Sequence, residues 1–168
     1  MDPSGLLLDA YGRVPPLARA AVDSLTLDQV LMRPTPDANP IAWLTWHMTR
    51  VQDAQISELI ERDQLWVTDG WAPRFGLEPD PSNHGYGHTS AEVATVKPES
   101  PDVLIEYLEA THARTRTMLD GLTGDDLDRI VDRSWDPPVT LGVRLVSVVD
   151  DCLQHVGQAA YVRGLLGA

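Results

Sequence analysis

Asp151 and His155 lie four residues apart within a mostly apolar segment, Val139 to Leu166. In a helix that spacing stacks them one turn apart on the same face. A carboxylate and an imidazole presented together are two of the three protein ligands of an open metal site. His47 sits in a second apolar segment, Ile41-Ala-Trp-Leu-Thr-Trp-His47-Met, and is the candidate third ligand. A buried carboxylate without a partner protonates or recruits one, and a cation is a partner that keeps it ionised. A direct Asp151–His155 ion pair without metal is the simpler alternative.

Other residues offer weaker chemistry. His84 and His88 are also four apart, but Gly85 and Gly87 both lie between them, so a helix is not expected and the spacing loses its meaning. They read as loop imidazoles, or as part of a lid that brings His88 or Tyr86 over a pocket. Cys152 reads as a buried thiol rather than a nucleophile, with no second cysteine to support it. Asp150 reads as a solvated neighbour, Trp43 and Trp46 as core or interface residues, and His112 as surface. There is no Gly-rich phosphate loop, nucleophile elbow or CxxC pair.

Four substantial helices must position these side chains. The first is expected over Gly5–Leu25, with Leu7, Leu8, Tyr11, Val14, Leu17, Ala18 and Ala21 inward and a kink or break at Pro15-Pro16. Thr26 caps a short turn to Met32. Asn39-Pro40 reads as a cap followed by Pro at the first helical position, opening a second helix to about Arg62. Its inward stripe is Leu44, His47, Met48, Val51, Ala54, Gln55 and Leu59; Arg50, Asp53 and Glu61 fall away from it. Asp69–Pro101 is rich in Gly and Pro and reads as a long crossover loop, too aromatic for a passive linker. Ser100-Pro101 opens a third helix to about Leu122. After a short connection holding Trp135, Thr140 caps the last helix, which ends at Gly167. The expected architecture is all-α: residues 1–168 as one four-helix bundle.

The chain has 168 residues, 43% hydrophobic and 23% charged, with a formal net charge of −12. That balance speaks against nucleic acid and anionic lipid as partners. No stretch approaches the roughly 18 apolar residues of a membrane helix. The N-terminus lacks the basic region of a signal peptide, and one cysteine demands no oxidising compartment, so a cytoplasmic protein is expected. Exposed aromatics leave room for a homodimer.

The last helix, Asp151-Cys-Leu-Gln-His155-Val-Gly-Gln158, resembles the signature helix of the DinB-like four-helix metalloproteins: ligand, three residues, His, one residue, Gly-Gln. The segment Ala42-Trp-Leu-Thr-Trp-His47-Met-Thr-Arg-Val-Gln-Asp53 resembles that family's second helix, which supplies one His ligand. Gly85-Tyr-Gly-His88-Thr-Ser is similar to the mycothiol-dependent S-transferase branch. The resemblance implies a divalent metal held by His47, Asp151 and His155, with Asp151 where three-His members have His. Zn2+ is the first expectation; Ni2+, Fe2+ and Mn2+ suit the same donors. It also implies mycothiol as cosubstrate, bound as a metal-stabilised thiolate that attacks an electrophile in detoxification. Gln158, His88, Tyr86 and Arg163 are the residues expected around the ligands or substrate. A non-catalytic metal-binding bundle and a mycothiol-dependent isomerase are the alternatives.

Overall fold

The structure is a computed structural model that describes residues 1–167. The first helical stretch is split into α1 (Pro3–Gly12) and α2 (Val14–Val22). Pro15 and Pro16 lack the N–H groups that would continue α1, so they stand in the first turn of α2, where no donor is needed. The break resets the inward face: Tyr11, Val14, Ala18 and Ala21 are buried, whereas Leu17 is half exposed. A Thr26–Gln29 capping box opens α3 (Leu27–Leu31).

The second main helix, α4 (Ile41–Leu59), starts one residue later than expected. Pro40, not Asn39, holds the cap position, and no side chain caps the helix. It also ends earlier, because Glu61 takes a left-handed φ of 54° and the Arg62 N–H donates back to the Ser57 carbonyl at 2.9 Å. The crossover that follows holds three short helical turns, α5 (Leu65–Thr68), α6 (Trp71–Arg74) and α7 (Ser90–Val93). It is packed rather than draped: Trp66, Phe75, Val93 and Val96 are buried in the main core cluster. The third main helix is α8 (Pro101–Leu119), and the short turn α9 (Gly124–Leu127) leads to a small antiparallel pair, β1 (Ile130–Asp132) and β2 (Val139–Thr140). Thr140 then caps α10 (Leu141–Leu166), accepting from the Val143 N–H.

The bundle's neighbours run α2, α10, α4, α8 and back to α2. Side-chain contacts set the directions. Arg50 and Ser57 of α4 meet Tyr107 and Arg114 of α8, seven residues on along both, so these helices run parallel and need the long return connection. Cys152 meets Met48 while Arg144 meets Gln55, so α10 runs antiparallel to α4 and brings Asp151 and His155 to the level of His47.

Placed between α8, α10 and the crossover, α4 is buried on every side over residues 41–50. Arg50 and Asp53, which the stripe puts on the outward side, are among its most buried residues. Asp53 accepts from the Leu65 and Trp66 N–H groups at 3.0 and 2.8 Å, capping α5, and from the Tyr107 hydroxyl at 2.7 Å. Arg50 lies 3.6 Å from Asp53 and donates to the carbonyls of Pro81 and Asn83 and to Gln64. The nominal inward residues Val51, Ala54 and Gln55 are only partly buried and line a cavity instead. Removing Asp53 would leave a guanidinium sealed from water without its anion. Asp53→Ala is therefore expected to cost about 3–5 kcal/mol in urea unfolding, and a loss under 1 kcal/mol would show the pair to be dispensable.

Candidate metal centre

His47 projects from α4 toward the two side chains of α10. One ligand atom from each of His47, Asp151 and His155 lies within 4.8 Å of the other two. The imidazoles of His47 and His155 meet edge to face with centroids 4.8 Å apart. His155 Nε2 lies 3.5 Å from Asp151 Oδ1. The expected trio is thus assembled by two antiparallel helices.

The partners of each imidazole decide which nitrogen is free. His47 Nδ1 faces the carbonyl of His84, which can only accept, so Nδ1 carries the proton and Nε2 keeps its lone pair. His155 Nδ1 donates to Gln158 Oε1 at 2.8 Å, one turn along α10, which turns Nε2 toward Asp151. Metal-binding histidines are oriented in this way by acceptors on the opposite nitrogen. Asp151 Oδ2 is buried and has no hydrogen-bond partner. An ionised oxygen in that position is costly unless a cation faces it. Two imidazole lone pairs and one orphaned carboxylate oxygen fit a divalent cation of the zinc type.

The wall behind His47 is aromatic. Its ring stacks on Trp43 at 4.6 Å and 9°. Gly85 closes the other side in a left-handed conformation, φ 93°; a Cβ there would meet His47 Nδ1 at 2.8 Å, Trp46 at 2.9 Å and Trp43 at 3.0 Å. Only glycine lets the backbone approach this closely. Arg50 supports the same segment from below through the carbonyls of Pro81 and Asn83. The chain of contacts from Arg50 through this segment to the His84 carbonyl orients His47.

The remaining sequence candidates occupy varied positions. The His88 ring lies beside the Trp pair, accepting from Trp43 Nε1 at 3.2 Å and donating to Asn83 Oδ1 at 3.0 Å. Both its nitrogens are used in holding the loop. His84 contributes its main-chain carbonyl. Tyr86 is 87% exposed at the cavity mouth. Arg163 donates to the carbonyls of Ala20 and Asp23 at the end of α2, away from the trio. Cys152 is fully buried, and burial pushes its thiol pKa up. His112 is half-buried rather than on the surface, with its pKa lowered by desolvation. The Arg50–Asp53 network escaped the sequence reading; its one signal is a charged pair at helical spacing of three inside an apolar segment.

Burial lowers the pKa of His47, while the hydrogen bond that His155 donates to the Asp151 carboxylate raises that of His155. In metal-free protein His155 should therefore titrate above the ordinary 6.5 and His47 below it by imidazole NMR. Asp151→Asn should bring His155 down. The order reversed, or His155 unmoved by the substitution, would contradict this geometry. Gly85→Ala should weaken Zn2+ binding by roughly 10–100-fold in calorimetric titration, the usual cost of disturbing a ligand's support. Gly87→Ala, also at positive φ but with open space around it, is the control and should leave binding nearly unchanged.

Among curated proteins none matches this chain significantly. A crystal structure of a conserved protein from Enterococcus faecalis is similar over its whole length. It shares 34% identity, covering 100% of this chain and 99% of that one, with a TM-score of 0.91. The family model of the DinB superfamily matches residues 10–159. Together with the helical bundle and its His-Asp-His cluster, this match makes the chain a member of the DinB superfamily.

Proposed function

We propose that the protein is a metal-dependent S-transferase that joins a low-molecular-weight thiol, mycothiol being the first to test, to an electrophile. The observation that carries this reading is the ligand set: two imidazoles with their Nδ1 atoms already committed, and a carboxylate oxygen buried without a partner. Three protein ligands leave room for an exogenous group. A divalent cation bound by His47, Asp151 and His155 supplies Lewis acidity that lowers the pKa of a thiol beside it.

The protein's own side chains do the rest. The His84 carbonyl and Gln158 hold the two imidazoles in register. Asp151 contributes negative charge, so the centre is less cationic than a three-His set. Trp43 and the Gly85 backbone keep water from the inner side of His47. Cys152, buried and held protonated, is no nucleophile, which suits a reaction whose sulfur arrives with the cosubstrate. In the transfer the thiol sulfur bonds to the acceptor carbon, the leaving group departs with its electron pair, and the thiol proton passes to solvent.

The test is thiol consumption with 1-chloro-2,4-dinitrobenzene, using protein stripped of metal and reloaded with Zn2+, Ni2+, Fe2+ or Mn2+. Turnover is expected only with metal, with His47→Ala losing both bound metal and activity and Cys152→Ala keeping both. Full activity in stripped protein, or none with mycothiol, glutathione or cysteine under any metal, would overturn the reading.

A further inference from the structure

Beside the trio, a groove of about 600 Å³ runs between α4, the N-terminal half of α10 and the β1–β2 hairpin, and Asp151 lies on its lining. Its size falls within the roughly 300–1,000 Å³ typical of small-molecule sites. It shares Val51, Gln55, Tyr86 and Asp151 with the smaller cavity of about 200 Å³ that holds His47. The two spaces therefore meet at the proposed metal centre.

The groove's chemistry is selective. Its apolar surface comes from Val51, Val139, Val143 and two aromatic rings, Tyr86 and Trp135. Trp135 is 67% exposed and Val143 54% exposed. Arg144, Asp132 and Ser147 on the wall are already committed. Arg144 donates to Gln55 and, at 2.8 Å, to Asp132, and its guanidinium lies 3.7 Å from Glu58. Asp132 Oδ1 accepts from the Ser134 N–H and hydroxyl. The Ser147 hydroxyl donates to the Val143 carbonyl at 2.9 Å. A sugar-like or anionic ligand would have to break these bonds or go unpaired, and unpaired buried polar groups cost affinity. The wall's one cation is neutralised by neighbouring acids, and the whole protein carries a net charge of −12. Among the described residues, the buried polar atom on this wall that lacks a partner is Asp151 Oδ2.

We infer that this groove is the binding site for the acceptor substrate, an uncharged planar aromatic compound laid against Trp135 and Tyr86 with its reactive carbon at the Asp151 end. The assignment rests on the transferase reading for the word acceptor. The binding itself needs neither thiol nor metal. Stacking on an aromatic face suits a flat ring, and the apolar walls exclude competing polar thiols from this side.

The test uses the full chain, free of metal and thiol, titrated with 2-naphthylmethanol and with 2-naphthoate, the same ring carrying a carboxylate. Binding is read by ligand-observed NMR and calorimetry. The alcohol should bind more tightly than the acid. Trp135→Ala and Val143→Glu, both at exposed positions, should each weaken the alcohol by roughly tenfold with unchanged circular dichroism. Equal binding to both variants, no detectable binding of the alcohol, or preference for the naphthoate would overturn the inference. If the groove binds as expected while no thiol is consumed with any metal, the transferase reading alone fails. If thiol is consumed but both groove variants bind normally, the groove inference alone fails.

Discussion

A guanidinium and a carboxylate sealed inside α4 organise this protein. Arg50 and Asp53 are shielded from water, so every bond they would have made to solvent must be made to protein. Those bonds reach in three directions. Asp53 collects the first N–H groups of α5 and the Tyr107 hydroxyl of α8. Arg50 collects the carbonyls of Pro81 and Asn83. The pair thereby ties the crossover to two helices of the bundle. Its worth lies less in net stability than in fixing one arrangement, since a hydrophobic pair would leave the loop's carbonyls unclaimed.

That arrangement places the support of the candidate metal centre. The segment held by Arg50 ends at His84, whose carbonyl accepts the hydrogen bond from His47 Nδ1–H. The next residue, Gly85, lies flat against the imidazole because it has no side chain. On the other helix the support is local: Gln158 holds His155 from one turn away. One imidazole is thus oriented by a distant loop and the other by its own helix. Disturbing the loop should act on His47 alone.

The Asp151 carboxylate is placed where a candidate ligand is needed. Asp151 stands at the edge of the buried face, with Cys152 taking the fully buried position beside it. One oxygen lies near His155 while the other is buried and unpaired. The same carboxylate borders both the small cavity and the larger groove. It is the point at which charge stabilisation and access to an apolar compartment coincide.

Much of this was legible in the amino-acid order. Helical periodicity, Pro15-Pro16, the Thr26 and Thr140 caps and the Pro/Gly-rich crossover determined four main helices and one long return. The four-residue spacing of Asp151 and His155 determined that they share a face, and Gln158 follows one turn on for the same reason. Local rules act through bonds between near neighbours, so they can be read along the chain. Tertiary structure decided the rest. Whether His47 meets that pair depends on α10 running antiparallel to α4. Whether Arg50 and Asp53 face water or protein depends on what covers α4: α8 on one side and the crossover on another turned an apparently outward pair into the most enclosed charges in the bundle. His88 became a clamp and the His84 carbonyl an acceptor for His47 only because the loop folds onto Trp43 and Trp46. Periodicity names a helix's faces, but only packing says what each face meets.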